Sequence, residues 1–108
     1  MKFNEYQKLA ERTVKKGETD LQMLINMQMG LSGEVGEISD HLKKLLFQGH
    51  EIDLEHIKKE MGDILWYISL GATALEIDLS EIAQTNIDKL KKRYPKGFEV
   101  ERSVNRND

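Results

Sequence analysis

Residues 21–45 read LQMLINMQMGLSGEVGEISDHLKKL, and in them Leu21, Leu24, Gln28, Leu31, Val35, Ile38, Leu42 and Leu45 recur at alternating steps of three and four. That spacing lays a seam along one side of a long α-helix, the pattern of a helix packing in a bundle and not of a strand. Gly30, Gly33 and Gly36 interrupt the helix, and each costs about 1 kcal/mol relative to alanine in a helix interior. Close approach by another helix or by a ligand offsets such a cost. Met23, Met27 and Met29 read as core or subunit-interface packing, because flexible thioethers fill irregular apolar gaps.

Before the seam, a first helix is expected from Asn4 to about Lys16, with Asn4 and Gln7 spaced as a capping box and Gly17 ending it. Phe3, Tyr6, Ala10, Thr13 and Val14 form its buried stripe, and Gln7 and Thr13 read as satisfied helix-interior polar groups. After the seam, FQGHEID turns at Gly49, and Asp53 caps a third helix that carries Leu54, Ile57, Met61, Ile64, Ile68 and Leu75 to its end near Glu76. Asp78 and Glu81 repeat the capping-box spacing and open a fourth helix, closed by Pro95 and Gly97. Leu79, Ile82, Ala83, Ile87 and Leu90 are its inner face. The fold class is therefore all-α and four-helix bundle-like: one domain over residues 1–98, then a polar C-terminal tail over 99–108.

Composition agrees, since 108 residues, 39% of them hydrophobic, suit one small core. The absence of cysteine excludes disulfides and zinc–thiolate sites and suits a reducing, cytoplasmic setting. No segment has a signal-peptide layout or approaches the ~20 apolar residues of a membrane span. A formal net charge of −3 and the lack of a basic recognition helix argue against nucleic acid as a partner.

The chemistry lies in two echoing phrases, Glu34-Val35-Gly36-Glu37-Ile38 and Glu60-Met61-Gly62-Asp63-Ile64. Residues three apart on a helix are neighbours, so each phrase points two acids to one side, at the rim of its apolar seam. If the second and third helices form an antiparallel hairpin, positions whose numbers sum to about 97 to 100 share a height, and Glu37 faces Glu60 or Asp63. Carboxylates about 5 Å apart at an effective dielectric of about 20 repel by roughly 3 kcal/mol per pair. The i+4 neighbours of the four acids are Ile38, His41, Ile64 and Tyr67, so no lysine or arginine answers them at that spacing, and a cation is expected. Hard oxygen ligands without cysteine favour Mg2+, with Mn2+ as a substitute. Neither pair has the Glu-x-x-His spacing of a di-iron bundle. His41, His50 and His56 read as surface, and Lys43 and Lys44 have equal reason to reach a phosphate or to face solvent. On the fourth helix Asn86, Lys89 and Arg93 share one stripe beside Ile87 and Leu90, which suits a polyphosphate and equally suits the negative end of a helix dipole.

These residues resemble the all-α nucleoside triphosphate pyrophosphohydrolases of the MazG type. The resemblance runs from about Leu21 through Phe98 and rests on three phrases in order, GLSGEVGEISDHLKK, IKKEMGDILWYI and TNIDKLKKRYPKGF. Gly33 stands directly before Glu34, where many relatives carry another Glu. The resemblance implies hydrolysis of a nucleoside triphosphate between the α and β phosphates to the monophosphate and pyrophosphate, clearing noncanonical or surplus nucleotides. By the same resemblance Glu34, Glu37, Glu60 and Asp63 hold Mg2+, with Glu37, seconded by Glu34, as the catalytic base. Asn86, Lys89 and Arg93 grip phosphates or sugar, Trp66 stacks on the base, and the chain works as a homodimer or homotetramer. The alternatives are a dimeric dUTPase-like all-α hydrolase and a noncatalytic helical module that binds nucleotide or a partner protein.

Overall fold

The fold was obtained as a computed structural model that describes residues 1–106. Five α-helices and no strand occur among them: α1 (Phe3–Ala10), α2 (Asp20–Phe47), α3 (Leu54–Ala74), α4 (Leu79–Arg93) and α5 (Val100–Val104). The architecture is all-α, as the periodicity requires.

The centre is an antiparallel hairpin of α2 and α3. Thr19 opens α2 with a full capping box, its hydroxyl accepting from the Gln22 N–H at 3.1 Å while the Gln22 side chain accepts from the Thr19 N–H at 2.9 Å. Gly49, at φ 71°, makes the turn, and Asp53 caps α3 by accepting from the His56 N–H at 3.1 Å. The register is constant along the pair: Met27 lies against Gly71, Gly30 against Tyr67, Glu37 against Glu60 and His41 against His56. Gly30 is what allows the close approach, because a Cβ there would overlap the Tyr67 ring.

A second junction joins α1, the end of α3 and the start of α4, and it corrects the expected caps. α1 begins at Phe3, gives way to a 3-10 turn over Glu11–Thr13 and does not reach Lys16. Asn4 and Gln7 form no local box; they cap α4 instead, 70-odd residues away. Gln7 Oε1 accepts from the Leu79 N–H at 2.7 Å and Asn4 Oδ1 from the Ser80 N–H at 3.1 Å. The Gln7 amide also donates to Ile77 O at 3.0 Å and Thr73 Oγ1 at 3.3 Å, so this buried side chain is satisfied, as expected. Asp78 precedes α4 without a side-chain cap of its own, since α1 already holds the first N–H groups. Leu70, Ala72, Ala74 and Leu79 are buried here and make the densest part of the core.

α3 covers only one side of α2, and the seam divides accordingly. Leu24, Leu31, Ile38 and Leu45 are half-buried against α3, whereas Leu21, Gln28, Val35 and Leu42, the alternate row, are exposed. Ile87 and Leu90 leave the far half of α4 similarly open. The radius of gyration is 17.1 Å, against about 13 Å for a compact chain of this length. Beyond Phe98 the described chain folds back as α5, and Arg102 donates from Nε to Arg93 O at 2.7 Å and from a terminal guanidinium nitrogen to Lys92 O at 3.5 Å. Asn107 and Asp108 lie outside the described residues. No described helix is long and apolar enough to cross a membrane.

Candidate metal and nucleotide site

The hairpin brings Glu34 and Glu37 of α2 to Glu60 of α3, with one ligating oxygen from each within 4.8 Å of the others. Glu60 is buried, Glu34 half-buried and Glu37 exposed, so the cluster sits at the rim of the core, as the phase of the acids anticipates. Glu34 Oε2 and Glu60 Oε2 are buried with no hydrogen-bond partner. Among the described residues no lysine or arginine is within ion-pair distance of the three; the imidazole of His56 is, with its Nε2 3.8 Å from Glu60 Oε1. The Glu37 carboxyl is accordingly pushed above the usual carboxylate range, first by a hydrogen bond shared with Glu60 and then by the Glu60 charge. Orphaned buried oxygens in an all-carboxylate set fit a hard divalent cation, which satisfies several such atoms at once.

Asp63, the fourth acid, is exposed and stands outside this tight triad, yet its charge helps to raise Glu37. It also faces α1: the Tyr6 hydroxyl is raised by burial and then by the Asp63 charge. One turn on, Trp66 donates from Nε1 to Thr13 Oγ1 at 2.8 Å and meets Tyr67 edge to face at 5.1 Å. Trp66 therefore pins the 3-10 turn that follows α1 to α3, and Tyr67 carries the contact across to Gly30.

On the other side of the triad a cavity of about 620 Å³ runs along α2 toward the hairpin turn, from Gly33, Gly36 and Glu37 to Asp40, His41 and Lys44, with His56 across from them. His41 differs from the surface residue expected: it is half-buried, its Nε2 accepts from the Asp53 N–H at 3.1 Å, and it faces His56 at 5.4 Å. Its place one turn beyond Glu37 was the available signal. The basic stripe of α4 is not gathered into this cavity. Asn86 and Lys89 are exposed, and Arg93 lines a separate hollow with Lys92, Glu99 and Arg102 at the end of α4.

Comparison with known proteins agrees with this geometry. A curated phage protein, the gene 37 protein of Mycobacterium phage L5, is 34% identical over 86 residues, covering 75% of each chain. No solved structure matches. The MazG nucleotide pyrophosphohydrolase domain matches residues 22–98, spanning both acidic helices and α4. With its acid triad held in that stretch, the chain belongs to the MazG nucleotide pyrophosphohydrolase family.

Proposed function

We propose that the protein hydrolyses nucleoside triphosphates between the α and β phosphates in a Mg2+-dependent reaction, with Mn2+ as a substitute metal. The observation that carries this reading is the triad itself: three carboxylates within 4.8 Å, two with buried, unpartnered oxygens, in a chain of this family. Glu34, Glu37 and Glu60 would hold the metal, with Asp63 at its edge. A divalent cation held there would supply charge neutralisation for the triphosphate, polarisation of the α-phosphoryl group and activation of a water. To Glu37, the most exposed of the three, we assign acceptance of the attacking water's proton. The water oxygen bonds to the α-phosphorus, the bond to the bridging oxygen breaks, and pyrophosphate leaves with the electron pair. Asn86, Lys89 and Arg93 are assigned to the substrate, and Trp66 to the base, on family resemblance alone. A homo-oligomer is supported by the exposed row Leu21, Val35 and Leu42 and by the open half of α4. Absence of cysteine favours a cytoplasmic setting.

The test is a panel of canonical and modified nucleoside triphosphates assayed with and without Mg2+. Pyrophosphate release that requires metal and is lost in a folded Glu60→Gln variant is expected. Orthophosphate as the sole phosphate product, or metal-independent turnover, overturns the reading.

A further inference from the structure

The outer side of α2 carries a row that nothing in the chain covers. It runs through Leu21, Ile25, Gln28 and Ser32 and on through Val35, Ser39, Leu42 and Leu46, and all eight are exposed. Steps of four and three alternate along it, so the row keeps to one side of the helix for more than three heptads, about 37 Å. None of the eight is charged, in a chain of which 32% is. A solvated helix face carries charge, whereas the centre of an interface is depleted of it. α3 cannot roll round to cover the row, because the contacts of Met27 with Gly71 and of Gly30 with Tyr67 fix its phase on the other side.

The row is also a palindrome. Its steps read four, three, four, three, four, three, four from either end. A helix so patterned matches a copy of itself turned end for end, in which each residue meets the one equally far from the centre, as an isologous two-fold interface requires. Leu21 then meets the partner's Leu46, and Ile25 the partner's Leu42, which gives apolar layers at both ends. Gln28 meets the partner's Ser39, and a polar layer inside a helical seam fixes its register. The Gln28 amide already donates to Ser32 Oγ at 3.3 Å, which leaves Oε1 to accept from that serine hydroxyl. At the centre Ser32 meets the partner's Val35. The helix ends select the direction. α2 starts at Asp20, with Glu18 before it, and finishes with Lys43 and Lys44, which share the one carboxylate of Asp40. An antiparallel pair brings acids toward lysines and opposes the two helix dipoles, whereas a parallel pair stacks like ends.

We propose that two copies of the chain pair α2 against α2, antiparallel, about a two-fold axis between Ser32 and Val35. The pair gives the homo-oligomer read above its face, direction and register, and it does not depend on the hydrolytic reading. Glu34 and Glu37 lie close to the level of the axis but face α3, so the two acid triads stand at nearly one height on either side of the seam and stay open to ligand.

The chain has no cysteine, so introduced cysteines report the register without background. Ile25→Cys and Leu42→Cys are made in the full chain and oxidised separately and as a co-expressed mixture. Light scattering gives the mass, and far-ultraviolet circular dichroism is the fold control. The antiparallel pair sets position 25 against position 42 of the other copy and keeps two copies of either position roughly 25 Å apart, far beyond the reach of a disulfide. A covalent dimer should therefore form in the mixture and in neither variant alone. Ile25→Lys should weaken the dimer about a hundredfold or more, because the change enters two layers, and should leave the helicity of the dilute protein unchanged, because Ile25 is exposed within one copy. Covalent dimers from each cysteine variant alone would mean a parallel pair and overturn the proposal. A wild-type dimer that survives Ile25→Lys and forms no disulfide in the mixture overturns it as well and moves the oligomer to another face, such as the open half of α4. Wild-type protein that is monomeric at every concentration sinks this pair and the homo-oligomer reading together. Triphosphate turnover, measured separately, decides the hydrolytic reading whichever of these results is found.

Discussion

The glycines of α2 offer a matched set in which the same substitution has opposite signs one turn apart. Gly33 and Gly36 have free space where a Cβ would stand, whereas at Gly30 that carbon would lie 2.7 Å from Tyr67 Cδ1 and closer still to two other ring carbons. Gly33→Ala and Gly36→Ala should therefore each return the helix-propensity difference of about 1 kcal/mol. For a chain of this length that raises the melting temperature by roughly 4 °C. Gly30→Ala gains the same propensity but must displace a ring that is also held by Trp66. Overpacking costs about 1–3 kcal/mol, and an aromatic ring wedged against backbone belongs at the upper end. The net effect is a loss of about 1–2 kcal/mol, or a melting temperature lower by roughly 4–8 °C. Gly71→Ala is milder, since the obstructing group is the flexible Met27 side chain. Circular dichroism melts at one protein concentration in metal-free buffer check all four. A melting temperature for Gly30→Ala at or above wild type would refute the packing argument. A drop in Gly36→Ala would show that something touches the helix there even without ligand.

Three further outcomes follow from single contacts. Gln7→Leu removes the acceptor of the buried Leu79 N–H and the donor to Ile77 O; urea unfolding should show a loss of about 2–4 kcal/mol, and a loss under 1 would mean that α4 finds another cap. Glu76 ends α3 at φ 57°, in a Schellman arrangement with Ile77 N–H on Ala72 O at 3.0 Å and Glu76 N–H on Thr73 O at 3.1 Å. Glu76→Gly relieves the left-handed strain and should stabilise by about 0.5–1 kcal/mol in the same unfolding experiment, with any destabilisation counting against that account. The raised Glu37 carboxyl binds its proton more tightly in the folded than in the unfolded chain. Its contribution to stability is thus present at low pH and lost as pH rises through the folded pKa. In metal-free melts across pH, wild type should lose stability relative to Glu37→Gln as the solution is made less acid; curves that stay parallel would contradict the Glu37–Glu60 coupling.

The hairpin was legible because its information is periodic and local. The three-and-four spacing fixes which side of α2 meets α3, and a short turn at Gly49 then sets the register that puts Glu37 opposite Glu60. What sequence could not show is where a polar side chain ends its reach. Asn4 and Gln7 have the spacing of a local cap, and only the packing of α1 across the α3–α4 turn sends them to Ser80 and Leu79. Asp78 and Glu81 mislead for the same reason. Lys44 and His41 were ambiguous because helical phase puts them beside Glu37 but cannot say whether that side is cavity or bulk water. The exposed row Leu21, Val35 and Leu42 carries the same pattern whether a helix of this chain or of another covers it.

The placement of the acids also explains how the hairpin tolerates them. Glu34, Glu37 and Glu60 are bracketed along the helix pair by two clamps: Gly30 on Tyr67 lies one turn before Glu34, and His41 on the Asp53 N–H lies one turn after Glu37. Repulsion among the three carboxylates acts between these clamps and cannot splay the helices without breaking one of them. The raised Glu37 carboxyl, pushed up by its hydrogen bond with Glu60 and by the Glu60 charge, is the electrostatic mark of that crowding. A divalent ion bound at the triad would relieve it more fully, and by mass action its binding would stabilise the folded chain. If a divalent ion binds there, the clamped hairpin presents the three carboxylates to it already within 4.8 Å of one another.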